Sequence, residues 1–312
     1  MSLRVELIVP ATAAGVRLDR FVAGAPELPT RSQAKLLVAA GRVTVDGVVR
    51  KPSFAVEAGM TVVVEIPPPP PSEVEAEDLP LRVLFDDDAL LAIDKAPGMA
   101  AHPAAGSPRG TVVNAVLHRL GPLAGVGDPS RPGIVHRLDK DTSGVMLIAR
   151  SAAALAILGQ QFHDRTVRKT YVAVVHGRVR DDRGRIDQPI GRHPTERKRM
   201  STHTRRGRAA ITSYAVVERF PDATFLTLHP ETGRTHQIRV HLASIGHPIV
   251  GDAVYGGRRP RLGGLLGAFP RQALHAAELQ CQHPVSTAPL TIQAPLPEDI
   301  SQLLQSLRDR AV

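Results

Sequence analysis

The feature that most restricts the fold of this chain is a run of five consecutive prolines, residues 67–71, followed by the acidic segment 72–78. Proline has no backbone N–H and fixes its own φ angle, so a proline run is extended and semi-rigid and cannot join the interior of a sheet. We therefore predict that residues 67–78 form a linker between two units, residues 1–66 and residues 79–312. A proline-rich ligand for a partner domain is the alternative, but the position between two units favours a linker.

The first unit has the pattern of a small α/β domain. Apolar residues spaced on one face begin a helix near Arg17, and a Thr-Arg-Ser-Gln capping box opens a second helix over residues 31–40. Residues 42–50 alternate around an Asp-Gly pair, which is a strong short-range signal for a β-hairpin. Residues 60–66 form an apolar run that predicts one further strand.

The second unit alternates many short strands with few helices, which predicts an α+β fold class. The predicted strands cover residues 83–85, 90–95, 145–149, 169–175, 186–190, 209–217 and 224–228. The predicted helices cover residues 111–120 and 152–165, and Ser151 caps the second of them.

The charge of the chain favours a polyanionic partner. Lys and Arg exceed Asp and Glu by nine, and residues 192–208 alone contain seven Lys or Arg residues and one Glu. Such a field attracts the phosphates of RNA or DNA, and it attracts an anionic membrane less well because no basic amphipathic helix is present. Aromatic residues make up only 3% of the chain, without a single Trp, so a ladder of stacked bases is not expected.

Composition also bears on location. No apolar run approaches the roughly 20 residues that span a bilayer, and charges interrupt the apolar residues at the N-terminus. The single cysteine, Cys281, excludes an intramolecular disulfide and a cysteine metal cage. We predict a cytoplasmic protein that does not enter the membrane.

Residues 133–144, Gly-Ile-Val-His-Arg-Leu-Asp-Lys-Asp-Thr-Ser-Gly, place a histidine, an arginine and two carboxylates immediately before a buried strand. A rigid strand positions such side chains well for catalysis. Taken alone, Arg137 and Asp139 form no more than a surface ion pair. Asp139 and Asp141 could also serve a metal-dependent nuclease, but no further carboxylates cluster beside them.

The complete twelve-residue string resembles the signature of the RluA-type pseudouridine synthases. Residues 232–242, residues 246–255 and the Lys-x-Pro-Gly and His-Pro pair of residues 95–103 resemble the same family, although Ala96 separates Lys95 from the proline. The resemblance implies a mixed, largely antiparallel sheet with flanking helices. It also implies isomerisation of uridine in RNA to pseudouridine, for which no cofactor is needed.

The resemblance assigns the site residues as well. Asp139 stands at the position of the family's catalytic aspartate, and Tyr171, in a Lys-x-Tyr sequence, stands where the family lines its uridine pocket. Arg239 is then the cation that keeps the carboxylate charged in a closed pocket. Arg137 is expected to enter the space that a flipped-out uridine vacates.

The first unit resembles the small RNA-binding domain named after ribosomal protein S-four, so its basic residues and those of the 192–208 loop are predicted RNA contacts. They are Arg17, Arg20, Arg31, Lys35, Arg42, Arg197, Lys198 and Arg199. The family resemblance favours large-subunit ribosomal RNA, or an assembling ribosomal subunit, as the partner. Other ribosomal RNA targets and transfer RNA remain open because target choice depends on loops and RNA shape.

Besides the nuclease considered above, one other function competes with this enzyme. A non-catalytic RNA-binding or ribosome-assembly factor could keep the same fold, but it has no reason to retain Asp139, Tyr171 and Arg239 together. A metal site on His236 and His241 is disfavoured, because a five-residue spacing does not place both on one helical face and no acidic partner adjoins them. No metal is therefore predicted.

Overall fold

The computed structural model describes residues 3–24, 31–67, 74–104, 106–196, 199–204, 206–256 and 265–310. Half of the predicted linker (residues 68–73), the Thr30 cap, and the predicted RNA contacts Arg197 and Lys198 lie outside these residues. So does the side chain of Arg31. None of the helices in the described ranges combines the length and the apolar character that a bilayer crossing requires.

The N-terminal part folds around an antiparallel sheet of four strands in the order β1-β4-β2-β3. Its elements are β1 (Leu3–Ile8), α1 (Leu18–Val22), α2 (Arg31–Ala39), β2 (Val43–Val45), β3 (Val48–Val49) and β4 (Thr61–Ile66). Buried side chains of both helices, among them Leu18 and Val38, share one apolar core with Val62 and Val64. The predicted hairpin is present, and its turn residues Asp46 and Gly47 have φ angles of 48° and 77°.

The larger part begins at β5 and contains the remaining elements. They are β5 (Arg82–Asp86), β6 (Leu90–Lys95), α3 (Val112–Leu120), β7 (Ser143–Ala149), α4 (Ala152–His163), β8 (Arg168–His176), β9 (Arg183–Asp187), β10 (Gly191–Arg192), β11 (Met200–Ser201), β12 (Ile211–Arg219), β13 (Ala223–Pro230), α5 (Gln237–Ser244), α6 (Leu265–Ala268), β14 (Leu274–Gln282), β15 (Pro289–Gln293) and α7 (Glu298–Asp309). A short hairpin of β10 and β11 stands apart from the main sheet.

Within the described residues, nine strands form the main sheet in the order β5-β6-β7-β14-β8-β13-β12-β9, and β15 pairs with β14. Among these strands only β7 and β14 run parallel; the other neighbours are antiparallel. The prediction of an α+β fold with a mixed, largely antiparallel sheet and flanking helices is confirmed.

Strands β6 and β7 are buried on both faces because a helix covers each. Leu90 and Leu147 pack in one apolar cluster with Leu158 of α4, whereas Leu91 and Met146 pack in another with Val112 of α3. The alternation follows from the two-residue period of a strand. Burial on both faces fixes β7, and the 133–142 loop that leads into it, in the middle of the protein.

One strand lies at a different position from the predicted one. Residues 186–190 were predicted as a strand, but β9 covers Arg183–Asp187 and pairs with Ile211–Ala215 of β12. Pro189 has no N–H to donate to a ladder, so the strand ends before it. The strand begins earlier than predicted because an edge strand tolerates the polar sequence Arg-Gly-Arg.

Gly144 is required where β7 meets β14. Its φ angle is +114°, and a Cβ atom there would lie 2.2 Å from the carbonyl oxygen of Ala276. We expect Gly144→Ala to lower the free energy of unfolding by about 3 kcal/mol, because the backbone must strain and the strands must separate. Gly98→Ala is the matched control: its φ is +82°, but nothing lies within 4 Å of the new methyl group. Urea unfolding of both variants checks this, and equal losses would contradict it.

Candidate active site

Asp139 lies in a tight turn that a buried lysine holds. The Asp139 carbonyl accepts the Thr142 N–H at 3.0 Å. Lys95, buried at the end of β6, donates from Nζ to the carbonyl of Lys140 at 2.9 Å and to two carbonyls of its own loop at 2.8 and 2.9 Å. Burial lowers the pKa of Lys95 to about 7, while Asp141 and Asp139 act in the opposite direction. The Lys95 side chain thus ties the Asp139 turn to the sheet.

The carboxylate of Asp139 is paired with Arg239 of α5. Arg239 donates from Nη1 to Oδ2 of Asp139 at 2.9 Å, and from Nε and Nη2 to the two carboxylate oxygens of Asp252 at 2.7 and 2.9 Å. Asp252 also accepts the N–H groups of Val254 and Tyr255. The guanidinium is therefore held from one side by a fixed carboxylate and presents its remaining N–H group to Asp139.

The Arg239–Asp252 pair is charged at neutral pH. Burial opposes the charge of Arg239, but hydrogen bonds to Asp252 and the charges of Asp252 and Asp139 raise its pKa. Burial likewise opposes the charge of Asp252, yet the Arg239 hydrogen bond and ion pair lower its pKa. The Asp139 side chain is 18% exposed and that of Arg239 is 7% exposed, so the pair lies at the inner end of an opening rather than on the surface.

His236 and Tyr255 complete the surroundings of Asp139. Nε2 of His236 lies 3.9 Å from Oδ1 of Asp139, and its Nδ1 lies 2.8 Å from the Tyr255 hydroxyl, which also accepts the N–H of Met200 at 2.9 Å. Burial lowers the pKa of His236, so the ring is neutral at pH 7. We assign the hydroxyl proton to the bond with Nδ1, which leaves the imidazole proton on Nε2, facing Asp139.

The second histidine of the disfavoured metal pair has other partners. His241 is buried, with Nδ1 at 2.9 Å from the Thr212 hydroxyl and Nε2 at 3.0 Å from the Gln188 carbonyl. Within the described part of the chain, no group of three or more His, Cys, Asp or Glu side chains is arranged to hold a metal ion.

A cleft of about 600 Å³ opens beside the ion pair, and Arg137, Asp139, Tyr171 and Arg239 all line it. Tyr171 lies on β8, and burial together with the charge of Asp139 raises its pKa, so it is a neutral phenol. Arg137 is exposed at the cleft. The structure thus brings together four site residues that are spread over about 100 positions of the sequence.

The predicted RNA contacts in the N-terminal part differ in whether a carboxylate lies beside them. Arg17 pairs with Asp19 at 3.0 Å, and Arg42 lies 4.0 Å from Glu65. Arg20 and Lys35 are exposed, and none of these four lines the cleft.

Arg199 has a contact that the sequence did not predict. It pairs with Glu196 at 3.2 Å and lies over the Tyr255 ring at 5.5 Å, in the hairpin of β10 and β11. Arg199 therefore connects the hairpin to Tyr255. Tyr255 in turn contacts His236, which lies beside Asp139.

Sequence reasoning missed Asp252, Tyr255 and His236 as site residues. The first two belong to a Gly-Asp-x-x-Tyr segment that the family resemblance includes, but no role followed from it. For Asp252 the sequence signal is a carboxylate within an apolar segment, because a buried carboxylate requires a partner.

His136 is a half-buried, neutral histidine in the wall of the cleft. Its Nε2 accepts the N–H of Leu147 at 2.9 Å, its ring stacks on Phe162, and burial lowers its pKa to about 3. The unfolded chain binds a proton at His136 below about pH 6.5, whereas the folded chain does so only near pH 3. Stability must therefore fall as the pH falls between these values.

We expect His136→Gln, whose amide oxygen can accept the same N–H, to reduce this pH dependence by on the order of 1 kcal/mol per pH unit. Urea unfolding at several pH values from 4 to 7 measures it. Equal pH slopes for the two proteins would show that His136 is not held neutral.

Comparisons with known proteins agree over nearly the whole chain. A family model described as RNA pseudouridylate synthase matches residues 89–244, and one described as S4 domain matches residues 16–62. The chain is 44% identical to ribosomal large subunit pseudouridine synthase D of Xanthomonas campestris, over 99% of this chain and 93% of that protein. It is 42% identical to the protein of the same name from Pseudomonas aeruginosa, over 96% and 94% of the two chains.

A solved structure shows the same relationship. The human protein titled RNA pseudouridylate synthase domain containing 1 superposes with a TM-score of 0.55 at 27% identity. The match covers 77% of this chain and 97% of the human one.

Proposed function

This chain belongs to the RNA pseudouridylate synthase family, and we propose that it isomerises specific uridines of large-subunit ribosomal RNA through Asp139. The family and the isomerase class rest on the matches above. The proposed target rests on relatives named for the ribosomal large subunit. They are 42–44% identical to this chain over nearly its whole length. A ribosomal RNA substrate also implies a cytoplasmic location.

The reaction needs little besides a positioned carboxylate. The bond from C1′ of the ribose to N1 of the base breaks, a bond from C1′ to C5 forms, C5 loses a proton and N1 gains one. No electron is transferred, so no redox cofactor is required. The observation that carries the assignment of Asp139 is its ion pair with Arg239 inside a cleft that admits a nucleotide, where it can act as nucleophile or base.

Tyr171 is proposed to pack against the uridine base and to assist removal of the C5 proton. Its place in the cleft beside Asp139 supports the packing role. Because its pKa is raised, the phenol must pass on its own proton before it accepts another. Arg239 is proposed to keep Asp139 charged and fixed through the reaction.

A stacked uridine must leave the RNA helix to reach Asp139, which costs a few kcal/mol. We propose that Arg137, exposed at the cleft and two residues before Asp139, occupies the vacated space. We expect Arg137→Ala to slow turnover at least tenfold. A variant with unchanged RNA affinity and unchanged turnover would exclude this role.

We further propose that the chain is divided into an RNA-binding domain at 1–66, a linker at 67–78 and a catalytic domain at 79–312. The two separate sheets and the two family matches support this division. The exposed Arg20 and Lys35 of the first domain, and the loop containing Arg197, Lys198 and Arg199, are proposed to add phosphate contacts.

The target is tested by pseudouridine mapping with carbodiimide labelling and primer extension. Unmodified transcripts of large-subunit, small-subunit and transfer RNA, together with assembling large subunits, are treated with the protein. New stops confined to large-subunit RNA, naked or assembling, are expected. Stops only in another RNA would contradict the proposed target, and stops in none would contradict the activity.

A further inference from the structure

Three arginines that the reaction does not use line the same cleft as Asp139. Arg165 follows the end of α4, Arg208 precedes β12 and Arg234 precedes α5. Arg239, in contrast, already donates three hydrogen bonds to two carboxylates. The cleft therefore contains positive charge beyond what neutralises Asp139.

The backbone around the three arginines holds them in place. Arg234 donates from Nε to the carbonyl of Ala209 at 3.2 Å, which leaves its two NH₂ groups available. Arg208 exchanges two backbone hydrogen bonds of 2.9 Å with Ile190. Arg165 has a φ angle of +61°, in the left-handed region where glycine or asparagine normally ends a helix. A residue other than glycine is strained in this backbone conformation.

No carboxylate among the described residues lies within ion-pair distance of Arg165, Arg208 or Arg234. The other acidic residue of the cleft, Glu231, lies 3.5 Å from Arg185 instead. Burial, and then the charges of Arg208 and Arg165, lower the pKa of Arg234. The charges of Arg208 and Arg165 thus act unfavourably on the Arg234 guanidinium in the cleft that all three line, and a bound anion would offset that repulsion.

We propose that Arg165, Arg208 and Arg234 form a subsite for a backbone phosphate next to the flipped uridine. We call these residues the arginine triad. The inference rests on the proposed function, since it takes RNA as the ligand of the cleft. Guanidinium groups bind phosphate oxygens through paired hydrogen bonds, and a phosphate contact fixes the register of a nucleotide without reading its base.

The subsite explains how a base can be presented to Asp139 reproducibly. Asp139, Tyr171 and Arg239 contact only the base and ribose in this scheme, and they cannot anchor the strand. The triad anchors the strand through a phosphate, so the flipped nucleotide enters the cleft with its C1′ beside the carboxylate.

The test uses a synthetic RNA hairpin that carries the mapped uridine, with neutral methylphosphonates replacing single phosphates around it. For the wild-type protein we expect one or two positions at which the replacement weakens binding about tenfold or more. In Arg234→Gln and Arg165→Gln the unmodified hairpin binds correspondingly less well. At those positions methylphosphonate then causes a smaller further loss than in the wild-type protein, because one of the partners of the phosphate is already gone.

Two further readouts separate a phosphate contact from a structural role. The slope of log K against log salt should decrease by about 0.7–0.9 in each variant, and KM should rise by a larger factor than kcat falls. Arg308→Gln is the control, because Arg308 pairs with Glu218 and does not line the cleft. Arg165 is exposed, so its variant tests the subsite even if Arg234→Gln folds poorly.

Unchanged affinity and salt slope in both triad variants would overturn the subsite, as would methylphosphonate penalties that persist undiminished in them. This failure is distinct from failure of the proposed function, in which the wild-type protein forms no pseudouridine in the hairpin.

Discussion

Asp139→Asn should reduce pseudouridine formation by at least about 10⁴-fold, the scale on which enzymes lose activity without their nucleophile or base. Asparagine has the same shape and still accepts a hydrogen bond from Arg239, but it has no negative charge. Such a loss corresponds to more than about 5 kcal/mol of transition-state stabilisation. Because C5 loses its hydrogen in the reaction, release of tritium from RNA labelled at C5 of uridine measures the rate under single-turnover conditions.

Asp141→Asn is the matched control for this variant. Asp141 lies two residues further along the same loop, and its side chain does not line the cleft. We expect it to retain activity within tenfold of wild type, and both variants to bind RNA within about threefold of wild type. If Asp141→Asn lost as much activity as Asp139→Asn, the assignment of the carboxylates would be wrong.

The second large effect is expected from Arg239→Ala. Its removal leaves Asp252, whose side chain is 0% exposed, with two backbone N–H groups and no cation. An uncompensated buried charge costs about 3–5 kcal/mol of stability. Asp139 loses its partner as well, so we expect the single-turnover rate to fall by on the order of 10²-fold or more. Urea unfolding and tritium release measure the two effects.

The double variant Arg239→Met/Asp252→Asn separates stability from chemistry. The amide oxygen of the introduced asparagine can still accept the N–H groups of Val254 and Tyr255, and no charge remains buried, so most of the stability should return. The rate should remain low because Asp139 still lacks its cation. Recovery of the rate together with stability would show that Arg239 acts only through folding.

The sequence predicted best those elements whose pattern is apolar and local. Strand β6 was predicted over residues 90–95 and is found at Leu90–Lys95, because its apolar run is buried on both faces. The Asp46–Gly47 turn was predicted from two residues that adopt positive φ readily. Strand β1, by contrast, was not predicted, since its pairing with β4 depends on residues about 60 positions away.

Helix α5 shows why hydrophobic periodicity fails near the site. Its buried residues include Gln237, Arg239 and His241, each of which is hydrogen bonded inside the protein. Ile238, Val240 and Leu242 are buried as well, so polar and apolar residues alternate along a helix that is buried on all sides, and no apolar stripe of helical period can be detected. Buried polar residues near the site thus obscure the hydrophobic periodicity from which the helix would otherwise be predicted.

The candidate site was predicted as a set of residues but not as an arrangement. Family resemblance selected Asp139, Tyr171 and Arg239, and the structure places them in one cleft. The ion pair joins positions 100 residues apart, and it depends on the order of β7, β14 and β8 in the sheet. Local patterns do not specify strand order, so the contacts of Asp252 and Tyr255 could not be derived from them.

The most direct test of the account is nucleotide-resolution mapping of pseudouridine in one preparation of large-subunit RNA, treated in parallel with wild-type protein and with Asp139→Asn. We expect new carbodiimide-dependent stops at specific uridines with the wild-type protein. We expect none with Asp139→Asn, although that variant binds the RNA. Stops at the same uridines with Asp139→Asn would contradict the central role of Asp139.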